Sequence, residues 1–272
     1  MARVEPTPKG LVKSGEAIAS LRAAGTMLGQ TLQILAAAVK PGLTGDELDQ
    51  IARETIRSLG GEPGFIGFED FPAAICLSIN DAIVHGLPSG QTLREGDIVG
   101  IDCGVRLHGW NTDAAITVTV GEPSEIDRKL IAATRDALLA GIRAVKPGVQ
   151  LGDVQAAIQA VIEGHGYGLV RTLTGHGIGR SLHEAPGIPN FGTPGTGVQL
   201  EAGMTFCLEP MLTTGSGAVK TAADGWTVVA SEGSQIRTAH QEHTILVTTA
   251  GCDVLSAQPG EHLSRRYADE RR

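Results

Sequence analysis

Apolar positions recur with helical spacing twice in each half of the chain, and each helical stretch gives way to short β-rich runs. Residues 13–39 and 124–145 predict long amphipathic helices, closed by Pro41-Gly42 and Pro147-Gly148. A second helix follows each. Thr44 is placed to cap one, with Glu47 three residues on to complete a capping box, and the other is expected to start near Gly152-Asp153. Leu48, Ile51, Ala52, Thr55 and Leu59 fall on one face of the first, as Val154, Ala157, Ile158, Val161 and Ile162 do on the second. The β-rich runs at 73–79, 97–105 and 113–120 have counterparts at 169–173, 204–212 and 243–249. Helix, helix, then antiparallel strands, stated twice, predicts an α+β fold whose helices pack on a curved, mixed sheet.

The two halves are one design repeated. Ala38-Val39-Lys40-Pro41-Gly42 returns as Ala144-Val145-Lys146-Pro147-Gly148 at an offset of 106, and Leu93, Gly96 and Asp102 return as Leu200, Gly203 and Glu209 at 107. Farther on, Asp113 answers to Glu242, so the pseudo-repeats cover about 11–121 and 122–251. The first pair of acids is 11 positions apart and the second 33, which places a loop containing Gly215-Ser216-Gly217 between Glu209 and Glu242. A turn at Leu107-His108-Gly109 would bring Asp102 and Asp113 together on one face of a hairpin. One such Asp is ordinarily a turn or cap residue. A duplicated pair is harder to dismiss. Glu209 sits in the apolar run Phe206 to Met211, where a lone charge carries a large burial cost, and no basic residue recurs at matching places to pair it. Four acids converging about a two-fold axis therefore call for a cation.

Composition narrows the class. The 272 residues are 42% apolar and 19% charged, enough for one large globular domain, and only 3% aromatic, so Ala, Val, Leu and Ile must build the core. A formal charge of −8 argues against nucleic-acid binding. The basic pairs Arg265-Arg266 and Arg271-Arg272 are offset by Glu261, Asp269 and Glu270. No signal peptide or membrane-spanning run is evident, and a cytoplasmic protein, most simply a monomer, is expected. Cys76, Cys103, Cys207 and Cys252 are widely spaced, which reads as reduced thiols and excludes a zinc ribbon. Residues 1–10 and 252–272 are expected to be appendages to a single catalytic domain at 11–251.

Histidine adds the nitrogen. His176 and His183 lie in the glycine-rich stretch Thr174 to Pro186, and His-x-x-Pro describes both His85 to Pro88 and His183 to Pro186. Four carboxylates and an imidazole suit one or two divalent ions such as cobalt, manganese, iron or zinc, and two ions sharing carboxylates suit hydrolysis.

The stretch Cys76 to Pro88, the Asp102 to Asp113 hairpin, Gly175-His176-Gly177-Ile178-Gly179 with His183, Phe206 to Met211, and Glu242-His243-Thr244 together resemble type I methionine aminopeptidases, from about Gly10 to Gly251. The resemblance implies a pita-bread fold and removal of the initiator methionine from new chains whose second residue is small. It implies that Asp102, Asp113, His176, Glu209 and Glu242 hold two ions, with Asp113 and Glu242 bridging, and that Glu209 also shuttles a proton. His183 would then stabilise the oxyanion and His85 contact the scissile amide. Phe65, Phe68, Phe71, Cys76 and Trp226 resemble positions of the methionine pocket, with ordinary core packing the competing account, most so for Phe65. Glu69 stands where many members carry histidine, so contacts beyond the cut bond should differ. Transient ribosome contact is implied by the family role alone.

Two other readings compete. Aminopeptidase P and prolidase share the fold and ligand types but usually carry a large N-terminal domain, whereas the helix pattern here begins by about Lys13. A nonenzymatic pita-bread binding module typically loses ligands, and here all are present. The type II enzymes' helical insertion has no room between Gly203 and Gly251.

Overall fold

The computed structural model describes residues 4–261 and 263, so both basic pairs of the C-terminal segment lie outside the described residues. Helix α1 (Glu16–Ala38) stops just before Lys40-Pro41-Gly42. Helix α2 (Gly45–Ser58) starts on the expected capping box: Thr44 Oγ1 accepts from the Glu47 N–H at 3.2 Å, and the Glu47 carboxylate accepts from the Thr44 N–H at 2.8 Å. In the second half α3 (Glu125–Ala144) is followed by α4 (Leu151–His165), which begins slightly before Gly152 because the Asp153 carboxylate accepts from the Gln150 N–H at 3.1 Å.

Each half has its own apolar layer. Leu48, Ala52 and Ile56 of α2 pack with Leu28 and Leu32 of α1 over Ile75, Val99 and Ile101. Leu130, Leu138, Ile158 and Ile162 of α3 and α4 do the same over Phe206, Leu208 and Ile245. These side chains are buried almost completely, at about 1.5–3 kcal/mol for each one larger than alanine.

The strands are short and nearly all antiparallel. In the first half Ile98–Leu107 is central, between Ile75–Ile79 and Trp110–Thr119. The second half has a five-stranded sheet in the order Cys252–Val254, His243–Val247, Thr205–Leu208, Thr174–Gly177, Glu184–Pro189. Among the described residues the parallel pairing is Val4–Glu5 with Gly197–Val198. The halves are stitched where the acids lie. Glu242 and Ala115 exchange backbone hydrogen bonds at 2.9 and 3.3 Å. Thr244 Oγ1 accepts from the Asp113 N–H and donates to the Asp113 carbonyl, while Thr117 Oγ1 does the same for His240.

Three expectations need correction. The strand expected over 204–212 is two strands, Thr205–Leu208 and Met211–Thr213, interrupted at Glu209-Pro210 because proline has no N–H to give a ladder. The run at 169–173 yields only the two-residue strand Gly168–Leu169. Residues 252–261 are not an appendage: Cys252–Val254 pairs with His243–Val247, and Leu255 and Ser256 are buried. Helix α1 admits this strap through glycine, since a Cβ on Gly29 would lie 2.2 Å from the Ala257 carbonyl oxygen. At the other end Val4 and Glu5 are strand-paired and Leu11 is buried. No helix of the described residues is long and apolar enough to cross a membrane.

Candidate metal centre

The first hairpin sets its two acids by register. Leu107 pairs with Trp110 across His108 and Gly109, whose φ of 51° and 77° fit the tight turn of a two-residue connection. Asp102 then opposes Ala115 and Asp113 opposes Gly104, so the two carboxylates are diagonal neighbours on one face. Glu209 follows the last residue of Thr205–Leu208, where Asn190 donates to its carbonyl at 3.0 Å, and Glu242 precedes His243. The contacts of Ala115 and Asp113 with Glu242 and Thr244 bring all four acids together.

Two imidazoles face them. His176 Nε2 is 3.5 Å from Glu209 Oε1 and 3.9 Å from Asp113 Oδ2, and its Nδ1 lies 3.0 Å from the Gly177 carbonyl. Donation from Nδ1–H to that carbonyl leaves the Nε2 lone pair aimed at the acids. His240 Nε2 is 3.7 Å from Glu242 Oε2 and 3.8 Å from Glu209 Oε2. His240 was not anticipated from the sequence, although period-two alternation puts it on the face of Glu242 two residues on.

The electrostatics are those of carboxyl groups crowded together away from water. Burial raises Asp102 to about 7. Burial first, then neighbouring carboxylates, push Asp113, Glu209 and Glu242 well above the ordinary range. Burial lowers both His176 and His240 to about 3, so neither supplies positive charge. Asp102 Oδ1, Asp113 Oδ1, Glu242 Oε1 and His240 Nε2 are buried with no hydrogen-bond partner among the described residues. Orphaned donors and acceptors in an oxygen-rich set are what divalent ions satisfy, so these residues fit such a group. Metal-compatible spacing recurs in the triplets Asp113, His176, His183 and Asp102, His240, Glu242.

An apolar pocket opens onto the acids. Phe65, Phe68, Phe71, Cys76, Leu182 and Trp226 line it, with His85, His183 and Glu69 among them and Asp102 and Asp113 at its end. Phe71 meets Phe65 and Trp226 edge-on, with centroids 6.4 and 5.1 Å away, and Phe68 meets His183 at 4.9 Å. Phe65 fits because Gly104, across the hairpin from Asp113, has no side chain: a Cβ there would stand 2.7 Å from the ring. Cys76 is paired directly with Asp102 on the neighbouring strand. His85 has a positive φ of 59°, a cost of about 1–3 kcal/mol. Burial, then His183, hold His85 below its ordinary value, and desolvation lowers His183 as well. Each candidate metal-ligand, catalytic and pocket residue named from the sequence thus lies among the acids or borders this pocket.

Comparison with known proteins shows the family and the fold. Metallopeptidase family M24 matches residues 19–249. A methionine aminopeptidase of Clostridium perfringens is 44% identical over 246 residues, covering 90% of this chain and 98% of its own. A methionine aminopeptidase 1 of Mycobacterium tuberculosis is 43% identical over 251 residues, covering 90% and 94%. The crystal structure of methionine aminopeptidase from Thermotoga maritima superposes with a TM-score of 0.88 at 40% identity, covering 91% of this chain and 99% of that one. Prolidase from Pyrococcus furiosus shares the fold, with a TM-score of 0.75 at 22% identity over 92% of this chain and 66% of that one.

Proposed function

The chain belongs to metallopeptidase family M24, and from that premise we propose that it is a methionyl aminopeptidase, removing the N-terminal methionine of polypeptides with a small second residue. The observation that carries this reading is the aromatic pocket ending on buried, unpartnered carboxylates. Asp102, Asp113, His176, Glu209 and Glu242 would hold two divalent ions, with cobalt, manganese, iron and zinc all compatible with the donors. Such ions supply Lewis acidity and make water a nucleophile near neutral pH.

The remaining work falls to side chains. Phe65, Phe68, Phe71 and Trp226 give a flexible thioether side chain close aromatic contacts. Glu209, whose carboxyl is pushed up by burial, takes a proton from the attacking water and delivers it to the leaving amine. His183, neutral at pH 7, donates to the oxygen that gains charge, and His85 donates to the scissile amide. Glu69 at the pocket rim sets contacts beyond the cut bond.

We place this activity in a single catalytic domain working as a cytoplasmic monomer on nascent chains, with transient ribosome contact. Cobalt-loaded protein assayed on Met-Ala-Ser and on Xaa-Pro peptides tests the assignment. Release of methionine from the first is expected, and preference for the second would overturn it.

A further inference from the structure

His240 stands among the acids with its Nε2 unbonded among the described residues. Its side chain is 3% exposed, and the two nearest carboxylate oxygens, at 3.7 and 3.8 Å from Nε2, are beyond hydrogen-bonding range. Thr117 holds the backbone that carries the ring, accepting from the His240 N–H at 2.9 Å and donating to its carbonyl at 2.6 Å. A purely structural histidine buried in this way would lose its hydration and gain no hydrogen bond at Nε2 in return. Two donors on a shared ion, each about 2.1 Å from it, stand up to about 4.2 Å apart. The separations that are too long for a hydrogen bond are therefore right for a common ion. The ligand atoms of Asp102, His240 and Glu242 also lie within 4.8 Å of one another.

We infer that His240 is a sixth metal-binding residue, its Nε2 joining Asp102 and Glu242 at one divalent ion. This rests on the metallopeptidase reading. His176 occupies the corresponding place on the other side, so Glu209 carries an imidazole near each of its oxygens. Each position then has one nitrogen donor, whereas the sequence suggested nitrogen at one position only. Added nitrogen favours cobalt, iron or zinc over manganese at the Asp102 position.

The test is a cobalt(II) titration of the metal-free parent, His240→Gln and His176→Ala, followed by calorimetry and visible absorption. His240→Gln keeps the size and a donor but removes the imidazole. It is expected to weaken one of two binding events about tenfold or more and to shift the cobalt bands, with far-UV circular dichroism unchanged. X-ray absorption of the parent, which needs no variant, is expected to count two imidazoles per two cobalt ions. Parent-like titration and bands in His240→Gln, or a single imidazole in the parent, overturn the inference. If His176→Ala alone changes the titration, the metal reading stands and only His240 falls. A parent that binds no cobalt overturns both.

Discussion

The two halves deliver their carboxylates by different means. Asp102 and Asp113 lie inside a continuous ten-rung ladder closed by a two-residue turn, and their relation is fixed by register. Glu209 and Glu242 stand just beyond the Leu208–His243 pair, where the ladder ends and the chain breaks at Pro210. Aspartates sit on the rigid ladder and glutamates, one methylene longer, at its loose end. The repeat therefore preserves where a carboxylate arrives rather than the scaffold that brings it. Outside props make up the difference in the second half: Asn190 on the Glu209 carbonyl and Ala115 on the Glu242 backbone.

The largest effect is expected where the halves meet. Asp113→Ala and Glu242→Ala should each lower turnover by about a thousandfold or more and lose bound metal together, measured by steady-state rate and elemental analysis. Turnover retained in either would mean that the halves do not share their ions. His85→Ala, from the first half, and His183→Ala, from the second, should keep the metal and lose about a hundredfold in rate. Metal loss in both would move these histidines from the pocket wall into the ligand set.

Exchanging chain lengths addresses the contrast directly. Glu209→Asp withdraws the carboxylate by about 1.5 Å just beyond the end of the ladder, and a misplacement of that size costs about a hundredfold. Asp102→Glu adds reach that a longer side chain can fold away, so a loss of about tenfold is expected. The reverse order of rates would show that the ladder, not the loose end, is the stricter half.

Acidity gives a milder measure. Asp102 is raised in the folded state from 3.8 to about 7, so the folded protein binds the extra proton and the unfolded chain does not. Stability from this group is greatest at low pH and is lost as pH rises through about 7. Chelator-treated protein should therefore melt roughly 5 °C lower at pH 8 than at pH 5.5. Metal-loaded protein should trend the other way, because protons compete with ions for the same oxygens. Parallel trends with and without metal would place the raised acid outside the centre.

Much of this was readable in the chain because it was written in local chemistry. The Thr44–Glu47 box, the Pro-Gly stops and the His108-Gly109 turn each act within a few residues, and the repeat exposed all four acids. The pocket aromatics were found through family likeness rather than periodicity. His240 escaped because its counterpart at the offset joining Asp113 to Glu242 is Asn111, which instead donates to the Gly179 and Arg180 carbonyls. Its approach to the acids depends on Thr117, 123 positions away. The C-terminal strap escaped because a three-residue strand has too little alternation to register, and its burial is created by glycines on α1.

That strap is the last difference between the halves. Ser256 Oγ accepts from the Thr244 N–H at 3.1 Å and lies 2.9 Å from His243 Nδ1, while His243 Nε2 is 3.5 Å from Glu261. The strand that follows Glu242 is thus held from behind by residues farther along the chain, whereas the first hairpin closes on its own turn. Ser256→Ala leaves the buried Thr244 N–H unbonded, at about 1–3 kcal/mol, and should lower the melting temperature by roughly 3–8 °C. Because Thr244 holds Asp113, metal affinity should weaken a few fold in the same variant, while the fold and the aromatic pocket stay intact. An unchanged melting temperature and affinity would mean that strand His243–Val247 holds its acid unaided, and residues 252–261 would pack on the domain without serving its centre.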